Sequence, residues 1–260
     1  GATTLSNATL FANAANTLSA NSVVNVSTVG STLDLNGNSN TIANLLGNGT
    51  VTLGAATLTL GGDNGSQSFS GAISGTGGSL VKNGTGTFTL SGNNSYNNGT
   101  QINAGTLAIT TVSNIGTGGL TFGGTSTLQL GSGVNLPTLS IANGIIGTIN
   151  TGGFNSTISN AITGTNGGFT KAGGGTLTLN GAGSNYSGPT GITGGTLLAG
   201  NATAISASSD FTLSNTAGAL LNLNNFSTAI QNIAGGGTLG GDIDIGSATL
   251  TTGNGITTSA

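Results

Sequence analysis

From Ser31 onward, apolar and polar residues alternate in short runs, and nearly every run is closed by glycine or asparagine. Ser-Thr-Leu-Asp-Leu puts Leu33 and Leu35 on one side of a strand and Asp34 on the other. Val51 with Leu53, Leu58 with Leu60, Phe88 with Leu90, and Leu107 with Ile109 repeat the arrangement. A period of two is that of a half-buried strand. Asn36-Gly37, Asn64-Gly65, Asn83-Gly84 and Asn98-Gly99 bound the runs, and such pairs reach positive φ at little cost. Residues 1–30 are less regular. Leu10, Phe11, Ala14, Ala15 and Leu18 fall near helical spacing before the β-branched run at Val23, Val24 and Val26. This segment is expected to be an N-terminal coil region of β character with one helical turn.

The pattern repeats at two lengths. Residues 77–109 read GGSLVKNGTGTFTLSGNNSYNNGTQINAGTLAI, and residues 167–199 read GGFTKAGGGTLTLNGAGSNYSGPTGITGGTLLA. The only lysines, Lys82 and Lys171, fall at equivalent places, as do the only tyrosines, Tyr96 and Tyr186. Leu-rich echoes of the Leu33 run at Leu128 and Leu221 make residues 31–260 about 2.5 modules of about 90–95 residues, with cores at 77–109 and 167–199. The shorter spacing is physically decisive. Gly-Thr-Phe at Phe88 and Gly-Thr-Leu at Leu107 are 19 residues apart, and Leu177 and Leu197 are 20 apart. A unit of that size cannot bury its apolar side alone, but it can when stacked on a copy of itself. An antiparallel sandwich would need regular two-residue turns, whereas recurring Gly-Thr-Leu units favour a parallel coil. The expected fold is therefore all-β, a parallel β-helix (β-solenoid) of roughly thirteen coils at about twenty residues each. Its core is expected to hold Leu33, Leu35, Leu58, Leu60, Phe88, Leu90, Leu107, Leu177, Leu179 and Leu197. Thr87, Thr89, Thr176 and Thr178 are expected to form outward ladders.

Composition narrows the chemistry. Gly numbers 51, charged residues are 3%, and the chain has no Arg, Glu, His, Cys, Met or Trp. Two lysines and a net charge of −3 give no footprint for nucleic acid or anionic lipid. Without Cys there is no disulfide scaffold or thiolate metal site, and no apolar run approaches the ~18 residues of a membrane helix. The sequence starts at Gly1 with no charged leader, so either a leader was removed or this is a segment of a longer protein. No catalytic, cofactor-binding or metal-binding residues are expected. Serine is abundant but has no His to activate it. Asp242 and Asp244 alternate with Ile243 and Ile245; a solvated outer face outweighs a paired carboxylate or calcium set there. Asp63 reads as a turn-former rather than a calcium ligand. Lys82 and Lys171 are either exposed gatekeepers or span to a turn carbonyl, a structural role in both cases. Tyr96 and Tyr186 are expected to cap coil corners, with the ring at the core edge and the hydroxyl in water.

Residues 77–109 closely resemble the autotransporter-associated β-strand repeat. They carry a Leu-x-Lys start, a Gly-Thr-Gly-Thr-Phe-Thr-Leu strand, an Asn-Ser-Tyr turn, a Gly-Thr-Gln-Ile strand and a closing Gly-Thr-Leu. Residues 167–199 depart by one insertion, by Pro189 after Gly188 and by Gly174 in the Lys171 turn. The resemblance implies a right-handed parallel β-helix on a bacterial passenger segment, exported to the cell surface through an outer-membrane barrel that this chain lacks. The expected role is a non-enzymatic stalk or adhesin segment that binds a host, cell-surface or matrix ligand. The alternative is a filament subunit joined head to tail through open terminal coils, with Val23, Val24, Val26, Ile243, Ile245 and Leu250 as the joining strands. A polysaccharide-acting β-helix enzyme would need clustered carboxylates or an Arg/Lys base, which the sequence lacks.

Overall fold

The computed structural model describes residues 1–253 and, for the backbone alone, Ile256–Ser259. Its strands are two to five residues long, and the described residues form no α-helix, only a 3-10 turn at Val112–Ile115. Successive coils stack in parallel as a β-solenoid of about 12 turns. The chain divides into two units, Gly1–Thr121 and Phe122–Ala260.

In the first unit one face stacks Ala2–Leu5, Val23–Val26, Asn44–Gly47, Gln67–Phe69, Thr87–Leu90 and Thr106–Ile109 in that order. A second face stacks Thr9–Phe11, Thr32–Asp34, Thr50–Thr52 and Ile73–Ser74. The third stacks Asn40–Thr41, Thr57–Leu60, Ser79–Lys82 and Thr100–Ile102. Alternation decides which side chains enter. Leu33 lies in register with Val51, and Val51 with Ile73; Leu58 lies in register with Leu80. Each column therefore stacks apolar residue on apolar residue.

The second unit repeats the plan. One face runs Thr127–Leu130, Ile146–Asn150, Gly168–Ala172, Thr190–Ile192, Asp210–Leu213 and Asn232–Gly235. Another runs Asn135–Leu136, Ser156–Ile158, Thr176–Leu179, Thr196–Ala199, Leu220–Asn222 and Asp242–Asp244.

The short sequence spacing appears directly as ladder register. Thr87 pairs with Thr106 and Phe88 with Leu107; Thr176 pairs with Thr196 and Leu177 with Leu197. All ten leucine and phenylalanine residues assigned to the core from the sequence are at most 1% exposed. Burying each such side chain contributes about 1.5–3 kcal/mol, which the short strands need against the entropy of ordering their backbone. Thr87, Thr89, Thr176 and Thr178 lie half-buried on the outer side.

Residues 1–30 hold no helical turn. Leu10 instead sits in a strand in register with Leu33, and Phe11 beside Asp34. Ladder pairing with the next coil outweighs the weak helical spacing. Asn16 then adopts φ 54°, in the turn region that follows.

Candidate interaction surfaces

The lysines and tyrosines singled out by the repeat face inward. Lys82 ends the strand Ser79–Lys82 on its inner side and is 1% exposed. Its Nζ donates to the carbonyls of Asn83 at 2.7 Å, Gly84 at 2.8 Å and Ala104 at 3.2 Å. Lys171 repeats the cradle, donating to Ala172 at 3.0 Å, Gly173 at 2.7 Å and Gly194 at 2.9 Å. Each ammonium thus ties its own turn to the turn one coil later. The exposed-gatekeeper alternative is incorrect, because the apolar stem follows the inward parity of the strand. On its other side the Lys82 turn packs tightly on the preceding coil: Gly84 holds φ 71°, and a Cβ there would lie 1.7 Å from the Gly61 carbonyl oxygen. Burial lowers both lysines from 10.5 to about 8, with the charge of Asp63 partly opposing the shift at Lys82.

Tyr96 and Tyr186 correct the expectation of a wet hydroxyl. Both are fully buried. The Tyr96 hydroxyl shares a 2.6 Å hydrogen bond with the Thr100 hydroxyl, and the Thr190 hydroxyl donates to that of Tyr186 at 3.2 Å. Phe169 packs edge-on against Tyr186 with centroids 5.4 Å apart. Burial raises the Tyr96 phenol and pushes Tyr186 up to about 12, so neither ionises at neutral pH.

Sequence reasoning missed an inner asparagine pair. The Asn94 amide accepts from the Ile73 N–H at 2.8 Å and donates to the Asn114 carbonyl. Asn114 in turn accepts from the N–H groups of Thr110 and Thr111, at 2.9 Å each. The 20-residue spacing of the two asparagines was the available signal.

The aspartates are dispersed. Asp63 accepts from the Gly65 N–H and from Asn44 Nδ2, at 2.9 Å each, as a turn-former does. Asp242 and Asp244 are exposed; Asp244 accepts from Asn222 Nδ2 and the Gly246 N–H. Among the described residues no group of three or more His, Cys, Asp or Glu is placed to hold a metal ion, and no helix is long and apolar enough to cross a membrane.

Of the three strands expected to join copies end to end, two are paired on both sides among the described residues. Val23–Val26 is an interior rung, paired with Ala2–Leu5 on one side and Asn44–Gly47 on the other. Val24 and Val26 are buried and Val23 half-buried, so the edge on that side is Ala2–Leu5. Leu250 is buried, and its strand Thr249–Thr252 is paired on both sides, in parallel with Thr228–Ile230 and antiparallel with Ile256–Ser259. Among the described residues Asp242–Asp244 pairs only with Leu220–Asn222. Ile243 on that edge is 41% exposed rather than inward, since its column ends there. Ile245 follows half-buried, its carbonyl accepting from the Ala248 N–H.

What remains for contact is the outer face, rich in hydroxyls and amides and carrying a few exposed apolar side chains, Phe11, Val29, Phe154 and Leu239 among them. Thr57 and Ser79 share a hydroxyl hydrogen bond at 2.8 Å, as do Ser140 and Thr163 at 3.1 Å. Asn103 donates to Asn83 at 2.8 Å. In the first unit a shallow groove of about 260 Å³ opens beside Thr57, Ser79, Val81, Asn98 and Gln101, with no charged residue in its lining.

The passenger-associated-transport-repeat family matches residues 80–109 and 169–199. Over 238 residues the chain is 35% identical to the adhesin BmaC autotransporter of Brucella suis biovar 1 (strain 1330). That match covers 86% of this chain and 7% of the relative, so the chain spans a small part of the relative's length. No solved structure matches the chain.

Proposed function

We propose that this chain, which matches the passenger-associated-transport repeat twice, is an adhesive, non-enzymatic segment of an autotransporter passenger at the bacterial surface. Passenger-type chains are exported and displayed at the cell surface. The observation that carries the adhesive reading is the 35% identity to an adhesin across 86% of the chain. The ladders supply stiffness. The outer hydroxyls and amides supply many weak, uncharged contacts, which add up only when several bind at once. The inward lysines and tyrosines leave no general acid or base on the outer faces beyond isolated aspartates.

Beads densely coated with the purified chain should adhere to animal-cell monolayers or to a matrix laid down by them, and sparse coating should lose adhesion more than proportionally. Adhesion should persist between about 0.05 and about 0.5 M salt, because so few charges are there to be screened. Coated beads that adhere no better than albumin-coated beads would sink the proposal.

A further inference from the structure

One face of the second unit loses its ladder part-way along. Leu139–Ile141 pairs with Ile162–Thr163 there, and Thr228–Ile230 pairs with Thr249–Thr252 further on. The coil preceding Thr228 carries no strand between Ala199 and Asp210. It meets Thr228–Ile230 at its two ends. The Thr228 hydroxyl donates to the Ala202 carbonyl at 3.2 Å, and the Gln231 N–H donates to the Ser209 carbonyl at 3.0 Å. The acceptors are seven residues apart in sequence and the donors only three. The surplus chain dives inward, where Ala204, Ile205 and Ser206 are buried. Outside it is a groove of about 560 Å³, bordered by Ala202, Thr203, Ala207, Ala229, Thr249 and Thr251. That volume is in the range of small-ligand sites, roughly 300–1,000 Å³.

The groove exposes a strand edge. Backbone groups of successive strand residues point to opposite neighbours. The Ile230 carbonyl accepts from Gly253 on the far side, and the Gln231 N–H reaches Ser209 on the near side. By the same alternation Ala229 turns its N–H and C=O to the near side, into the groove. Among the described residues the 201–209 coil makes no backbone hydrogen bond to either group. An unpaired donor and acceptor on one strand residue form the template that another extended chain completes.

We propose that this groove takes an extended, uncharged peptide with small side chains, added as a strand against Ala229. The lining selects for that chemistry. Among the described residues it contains no charged side chain, so a charged side chain would be desolvated without a partner. It contains no aromatic ring, so a sugar has no platform to stack on. The methyls of Ala202, Ala207 and Ala229 leave room for Gly, Ala, Ser or Thr. This deepens the adhesive reading by naming a partner class and rests on that reading for its biological setting alone; the groove can fail while bead adhesion succeeds.

The test is titration of the ¹⁵N-labelled full chain with acetyl-Ser-Ala-Thr-Ala-Ser-amide, followed by amide resonances. The Ala229 and Thr251 resonances should shift saturably. Ala229→Pro removes the donor at an edge position where proline is tolerated, and Ala207→Phe fills the groove without touching the edge. Each should weaken binding by about tenfold or more, read at Thr251, with an unchanged circular dichroism spectrum. Absence of a saturable shift in the parent chain overturns the proposal. So does peptide binding that survives both variants. N-acetylglucosamine shifting the same resonances, undiminished by Ala229→Pro, also overturns it in favour of a sugar site.

Discussion

At the residue scale the inward lysines and tyrosines set the pH response. Folding lowers each lysine from 10.5 to about 8. Between those values the unfolded chain binds more protons than the folded one, so stability rises with pH across that window and is flat below it. The tyrosines act in the opposite sense. Tyr186 goes from 10.0 to about 12 on folding, so above about pH 10 the unfolded chain loses protons first and stability falls. Urea midpoints should climb from about pH 8, peak near about pH 10 and then decline. In the Lys82→Met, Lys171→Met double variant the rising limb should vanish while the decline stays. That variant should also lose about 1–3 kcal/mol for each cradle left without its donor. The tyrosine partner was within reach of the sequence: Thr100 has the same strand parity as Ile102 and is buried with it. Treating threonine as an outward residue hid it. The lysine cradle was less legible, because its acceptors are carbonyls, which every residue carries.

At the element scale the ladder register was legible and the edges were not. A 19-to-20-residue recurrence of Gly-Thr-Phe and Gly-Thr-Leu dictates which strands stack, because apolar columns fill only in that register. Which rung is last depends on how irregular segments such as Ala2–Leu5 pair, and their alternation is too weak to announce a strand. The groove at Ala229 was hidden for a similar reason: a coil lengthened by a few residues looks like any other loop in sequence. Two substitutions test the assignments. Val24→Pro removes a ladder donor from an interior rung and should cost about 1–3 kcal/mol for the partner carbonyl left unpaired, exposing the first coils to limited proteolysis by an elastase-type enzyme. Phe88→Asp buries an unpaired charge opposite Leu107 and should be severely destabilising, whereas Asp34→Asn should change stability by less than about 0.5 kcal/mol. Comparable denaturation midpoints for the two would overturn the inward and outward assignment.

At the scale of the whole molecule, stability is close to a sum over coils and their nearest-neighbour contacts. A polar, almost uncharged exterior therefore costs the fold little, since cohesion lies inside each column. Such an exterior also bears on survival among digestive enzymes. Trypsin-like proteases cut after lysine or arginine, and this chain has no arginine and only Lys82 and Lys171. Both are locked inside carbonyl cradles, so the folded chain offers such an enzyme no cleavage site. Native protein should outlast prolonged trypsin treatment intact, while the urea-unfolded chain should yield three pieces, 1–82, 83–171 and 172–260. The same two side chains that pin the turns thus also keep the folded chain closed to one class of protease.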